Sequence, residues 1–318
     1  MTVSSAPSRK SFDPRLSSLR GLGATWVTAS HVVEMGALPL SAAASVLISG
    51  YLGVALFFVL SIYLILRTLD VDSDLKRYFK RRALRIWPLY WATVIAVFLL
   101  WQHSAPKLLA NLAFVAIWMP KMDYGYTFWS LQVEELAYLA FPLIHALKPA
   151  SQVWLAWGMI AFSAAWTVLA HWPPPLRPGW LWDCYELPFP WVGVYGWGLL
   201  AYRGRIPDLG RLWPLLLVPA LLVVPQTTDW DVAILVLGPV FAALVAHPPR
   251  ALDAVALVLV GEISYALYLE HQEMIEAWGW VGLLLAVPLA AASELLARGR
   301  RIRGRIRSLA LSPAPEVA

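Results

Sequence analysis

Arg20 and His31 stand eleven residues apart in the apolar stretch LRGLGATWVTASH. An ionisable side chain inside such a stretch is costly in a bilayer and marks a functional site by default. At helical rise the pair spans about 16 Å, roughly half of a ~30 Å hydrocarbon core. With Arg20 at the cytoplasmic edge, His31 lies at the midplane or beyond. Its imidazole is the one side chain here that titrates near neutral pH, and it could act as a general base or as a nucleophile. Glu34, one helical turn on, shares its face and could orient the ring.

Three other segments carry chemistry-bearing groups. LKRYFKRRALRIWPLY sets Arg81, Arg82 and Arg85 just before an apolar run, with Arg81 and Arg85 at i,i+4. Topogenic charge alone explains such a cluster; the sharper reading is a face that grips phosphates through bidentate guanidinium contacts. The patch is too short for nucleic acid. FWSLQVEELAYLAFPL brings Trp129, Ser130, Glu134, Glu135 and Tyr138 into one apolar segment, where two acids call for partners. VGEISYALYLEH adds Glu262, Ser264, Tyr265, Tyr268, Glu270 and His271. Ser264 and Tyr265 fit hydrogen bonds between helices. Glu270 and His271 fall near the outer end, where water makes them cheap. In GYLGVALFFVLS, Gly50 and Gly53 permit close helix approach, and Ser61 is no more than a candidate pore-lining hydroxyl.

The elements that position these groups follow from composition. Of 318 residues, 59% are hydrophobic and 14% charged, against about 25% charged in soluble domains. An all-α, polytopic membrane bundle is expected. Apolar runs cover 17–37, 46–67, 87–102, 107–120, 127–147, 151–171, 189–202, 210–225, 229–247, 252–271 and 277–297. Lys and Arg concentrate in 9–20, 67–85, 203–211 and 298–307, with Lys148 and Arg250 between. Placing all of these in the cytoplasm requires that 107–120, flanked by Pro106 and Pro120, does not cross. The expectation is about ten transmembrane helices plus a re-entrant or half-helix near 107–120, with both termini cytoplasmic in the plasma membrane. Residues 1–16 form a cytoplasmic lead, 17–297 the transmembrane domain and 298–318 a basic tail suited to anionic headgroups. Loop 172–188 is expected as an outward cap. Ala42-Ala43-Ala44 looks like a cleavage site, yet Arg20, His31 and Glu34 argue against a signal sequence. The single Cys184 excludes an intramolecular disulfide and a thiolate metal cluster, and no metal is expected.

In order, these segments resemble the acyltransferase-3 family of integral membrane O-acyltransferases. Arg20 and His31 match its Arg–ten residues–His pattern. GYLGVALFFVLS is similar to its glycine-hydrophobic second helix. Arg81, Arg82, Arg85, Pro88 and Tyr90 match its arginine-rich segment. Trp129, Ser130, Glu134, Glu135 and Tyr138 match its Trp-Ser-Leu-x-x-Glu motif, and Ile263, Ser264, Tyr265, Tyr268 and His271 its late Ser-Tyr motif. Two positions depart: Ser61-Ile62 where Ser-Gly is usual, and Ala137 where an aromatic is common.

The resemblance implies transfer of an acyl group, often acetyl, from cytoplasmic acyl-CoA to a hydroxyl of a glycan, as in polysaccharide modification, or of a secondary metabolite. CoA phosphates would meet Arg81, Arg82 and Arg85, with Arg20 along the arm. His31 would be the base or acyl carrier, with Glu134 or Glu34 fixing its tautomer. Ser130, Trp129 or Tyr265 would supply oxyanion donors, with Tyr138 and Ser264 in support. No cofactor is held permanently, and the oligomeric state is open. The competing class is a proton-coupled transporter with His31 and Glu134 as relay; no inverted repeat supports it.

Overall fold

The computed structural model describes residues 13–34, 49–119, 122, 124, 127–170, 188–208 and 230–311; for 230, 231, 298 and 300–311 it describes the backbone alone. Among these residues every regular element is helical. The helices are α1 (Pro14–Glu34), α2 (Gly50–Val71), α3 (Leu75–Trp101), α4 (Ala105–Leu112), α5 (Phe128–His145), α6 (Pro149–Ala170), α7 (Val192–Tyr202), α8 (Trp230–Ala246) and α9 (Val255–Leu311), with 3-10 turns at Ala116–Trp118 and Arg250–Asp253. By length and composition α2, α3, α6 and the 255–297 part of α9 can each cross a membrane.

α9 is not one straight rod. Gly279 has φ +54°, in the left-handed region that glycine tolerates. Ser293 Oγ donates to Glu270 Oε1 at 2.9 Å, across 23 residues. A straight helix would hold those positions about 35 Å apart, so the chain doubles back at Gly279. Ala266 and Leu267 of the first arm pack with Ala286 and Ala290 of the second.

Contacts fix the helix directions. One end of the bundle carries Arg15, Asp70, the 72–85 segment and Arg203; we call it the basic end. At that end Asp70 accepts from Tyr202 Oη at 2.7 Å and meets His145 Nε2 at 2.9 Å. α2, α5 and α7 therefore finish there together. At the far end their first turns share an aromatic cluster, with Tyr51, Trp129 and Trp191 ring centroids 5.2–6.4 Å apart. α8 runs alongside α7, since Gly238 abuts Trp197 and His247 Nε2 lies 3.1 Å from the Ile206 carbonyl. α1, α3, α6 and the first arm of α9 run the other way.

α3 starts earlier than its apolar run suggests. Asp74 caps it by accepting from Arg77 N at 3.1 Å, a bond worth about 1 kcal/mol, so the basic segment is itself helical. α3 arrives at the far end and α5 leaves from it, so the 107–120 segment does not cross. Its α4 is held by the buried Asn111, whose Nδ2 donates to the Lys107 and Met122 carbonyls at 2.9 Å. Gln132 of α5 completes this support, donating to Asn111 Oδ1 at 3.1 Å and accepting from Ile117 N at 3.1 Å. The expected cap at 172–188 lies, apart from Pro188, outside the described residues, as do most of the 1–16 lead and the 210–225 run.

Candidate active site

α1 and the first arm of α9 run parallel and nearly touch. Gly21 and Gly261 make this possible: a Cβ on Gly261 would lie 1.8 Å from the Ser17 carbonyl oxygen, and one on Gly21 would lie 2.7 Å from the Leu257 oxygen. Ser17 Oγ donates to Glu262 Oε1 at 3.1 Å beside the crossing. Ten residues above it on each helix stand His31 and His271. In-phase helices keep such positions level, and the two rings meet: His31 Nδ1 lies 2.8 Å from His271 Nε2. The rings are within 11° of parallel with centroids 5.0 Å apart, so they join edge to edge in one plane. His271 is 0% exposed and His31 is partly open. His271 Nδ1 is 2.8 Å from the Leu267 carbonyl oxygen.

His271 replaces the carboxylate partner expected for His31. Glu34 instead accepts from Ser30 Oγ at 2.8 Å, and that hydroxyl in turn accepts from Gly50 N at 2.9 Å, closing α1 onto α2. His271 is also not a cheap polar residue at an exposed helix end. It is sealed by α1, and Tyr268 sits one turn below it, ring centroids 6.3 Å apart.

The expected oxyanion donors are differently disposed. Ser130 Oγ donates to the Thr127 carbonyl at 2.9 Å and lies 2.6 Å from Tyr268 Oη. The serine proton is used, so Tyr268 donates to Ser130. Tyr265 Oη donates to the Ile86 carbonyl at 2.8 Å and Ser264 Oγ to the Gly261 carbonyl at 2.8 Å. These hydroxyls tie helices together. Trp129 packs in the far-end aromatic cluster beside Tyr51 and Trp191.

Glu134 belongs to a different level. Gly50 faces Ser30, Gly53 faces Gly23 and Val27, and Phe57 faces Gly23, so α1 and α2 are antiparallel in a steady register. The same register puts Ser61 opposite Leu19 and Arg20, about 16 Å from Gly50 along α2. Ser61 Oγ and Tyr138 Oη both donate to Glu134 Oε1 at 2.5 Å. Arg82 lies over the Tyr138 ring at 4.8 Å and the Tyr78 ring at 5.7 Å. Glu135, on the other side of α5, accepts from Trp87 Nε1 at 3.1 Å. Glu134 therefore shares the level of Arg20, not that of His31.

The arginines separate by environment. Arg81 Nη2 is 2.5 Å from Asp72 Oδ2, and Arg77 Nη1 is 3.0 Å from the same oxygen. The Arg81 hydrogen bond, with further help from Arg77, holds the Asp72 carboxyl down at about 2. Arg82 turns inward under Tyr138, and Arg85 follows it one turn on along α3. Sequence reasoning expected one phosphate-gripping set; the fold gives a paired Arg81 outside and Arg82 inside. His271 was missed as the partner of His31, and Tyr268 as the partner of Ser130. Their spacing with Ser264 on one polar helix was the available signal, but only the α1 neighbour reveals it.

The fold and site define a multi-pass helical membrane protein with an imidazole pair linking its first and a late helix, above a carboxylate and arginine layer. The family profile described as an acyltransferase domain matches residues 13–296, and the chain belongs to the acyltransferase-3 family. It is an acyltransferase enzyme. A protein of Acidianus two-tailed virus named as a candidate acetyltransferase, ORF330, is 35% identical over 322 residues, covering 95% of each chain. No solved structure matches this chain significantly.

Proposed function

We propose that the protein transfers an acyl group, acetyl by preference, from cytoplasmic acyl-CoA to a hydroxyl of a glycan or secondary-metabolite acceptor, with His31 as the group that handles the proton or carries the acyl chain. The half-buried His31–His271 contact carries this reading. An imidazole with a ring partner and one nitrogen left over suits removal of a hydroxyl proton, a role worth ~10²–10⁴-fold in rate. The viral relative's name favours acetyl as the group moved.

The layer below fits the donor. Anionic phosphates entering from the basic end would meet Arg82 and Arg85, then Arg20. Arg81 would join after leaving Asp72. A thiol arm extending about 16 Å from that layer would bring its thioester beside His31. Trp129 and the aromatic cluster would flank the acceptor at the far end, with Ser130, Ser264, Tyr265 and Tyr138 holding the helices in place.

The same reading puts the basic end in the cytoplasm and gives ten passes through the plasma membrane. Both termini are then cytoplasmic.

The experiment is thiol release from acetyl-CoA by the purified protein in nanodiscs, with a panel of sugar and polyketide-type alcohols. Acceptor-dependent release by the wild type, abolished in His31→Gln of equal thermal stability, is the expected result. No release with any acceptor, together with proton-coupled solute flux in liposomes lacking acyl-CoA, would overturn it.

A further inference from the structure

We infer that His271 is a positioning residue that fixes His31 in its Nδ1–H tautomer and so selects Nε2 of His31 as the reacting nitrogen, with no carboxylate in the relay. The chemistry of this inference rests on the acyl-transfer reading; the tautomer itself does not.

The chain of hydrogen bonds has only one neutral solution. The Leu267 carbonyl can only accept, so His271 Nδ1 carries the proton that reaches it at 2.8 Å. A neutral imidazole has one N–H, so His271 Nε2 is a lone pair. That lone pair lies 2.8 Å from His31 Nδ1. His31 must therefore donate through Nδ1, and its own Nε2 is left bare. The coplanar edge-to-edge rings aim donor and lone pair at each other. A charged pair at this position would need a counter-ion. Glu34 accepts from Ser30, and Glu134 accepts from Ser61 and Tyr138. Burying an unpaired charge is costly enough to keep the resting pair neutral. A free neutral histidine side chain favours the Nε2–H tautomer, so the site imposes the less common form.

The step balances without another reactant. His31 Nε2 takes the acceptor hydroxyl proton while the oxygen forms its bond to the thioester carbon. His31 is then an imidazolium, and its Nδ1 proton can shift toward His271 Nε2, spreading the charge over two rings. As the C–S bond breaks, Nε2 returns its proton to the departing sulfur. Ester and thiol are formed, and both histidines are again neutral. His271 does for His31 what a carboxylate does in a hydrolase triad, but without placing a permanent negative charge at this depth.

The test is nitrogen NMR of the protein labelled with ¹⁵N-histidine in nanodiscs, the His31 signals being assigned by their loss in His31→Gln. The wild type should show His31 protonated at Nδ1 and bare at Nε2. In His271→Phe, which keeps ring volume without an acceptor, the signal should move to the Nε2–H form. The same variant should lose on the order of 10²-fold or more in kcat with the KM for donor unchanged. His271→Gln, whose side-chain oxygen can accept from Nδ1, should recover much of that loss. A wild-type His31 protonated at Nε2, or a folded His271→Phe with full kcat, overturns the inference. Should His271→Phe fail to fold, the wild-type spectrum and His271→Gln decide. A wild type with the expected tautomer but no acyl transfer would remove the proposed function instead.

Discussion

Gly261 and Ser17 leave no room for a side chain between them: a Cβ on the glycine would fall 1.8 Å from the serine carbonyl oxygen. This backbone crossing sets the height at which His31 and His271 meet ten residues further on. Gly261→Ala must push α9 away from α1, and it should cost about 1–3 kcal/mol or more in stability. It should also separate the imidazoles, so transfer falls further than thermal stability alone would dictate. Gly158→Ala is the control, because open space surrounds its Cβ position. Detergent melting curves and initial rates on both variants check this.

The separate levels of Glu134 and His31 give a second prediction. His31→Gln should lower transfer by ~10²–10⁴-fold with little effect on the fold. Glu134→Gln, which keeps an oxygen for Ser61 and Tyr138, should leave the rate within about tenfold of wild type. Glu134→Leu strands both hydroxyls and should destabilise by about 2–4 kcal/mol. An equal rate loss in His31→Gln and Glu134→Gln would place the carboxylate at the reacting atoms after all.

The arginines should divide in donor binding. Arg82→Ala should raise the KM for acyl-CoA more than Arg81→Ala, whose guanidinium is already paired with Asp72. Asp72→Asn should release Arg81 and lower that KM. The pairing is not a pH switch in the working range. The Asp72 carboxyl sits at about 2 in the fold, below the ordinary value near 4 of the unfolded chain. Its contribution is therefore complete above about pH 4–5 and fades only as pH falls toward 2. Donor KM measured from pH 6 to 9 should show no titration removed by Asp72→Asn.

The reversal at Gly279 is open to cross-linking. With Cys184 replaced, Glu270→Cys combined with Ser293→Cys should be bridged by a short bifunctional thiol cross-linker, because the native side chains touch at 2.9 Å. A straight helix would keep the two thiols far beyond reach. Absence of bridging in a folded protein would contradict the hairpin.

Much of the helical layout was legible because apolar runs and caps are local. The 127–147 and 151–171 runs match α5 and α6 to within two residues, and the last two apolar runs are separate arms, although the chain reverses at Gly279, two residues into the 277–297 run and not in the 272–276 break. Charge clusters predicted that α2, α5 and α7 end together, and Asp70, His145 and Tyr202 meet there. The start of α3 was not legible from hydropathy, since its first turns are basic and are stabilised by the Asp74 cap. The site was less legible for a physical reason. The cost of a polar residue depends on its tertiary neighbours, and a single chain position cannot show them. His271 reads as a residue at a wet helix end until α1 is laid against it. Arg81 reads as a free phosphate ligand until Asp72, across a turn, is seen to hold it.

The imidazole pair joins residues 240 positions apart, one from the first helix and one from almost the last. At about 5–20 residues per second of synthesis, roughly 12–48 s pass between the appearance of His31 and that of His271. Chains cut short between Glu134 and His271 carry the residues of the arginine layer but not the pair. On the proposed mechanism, assembly order would guard the reaction: a growing chain would carry its donor layer before it could discharge a donor, and chemistry would begin only when the final helical hairpin docks.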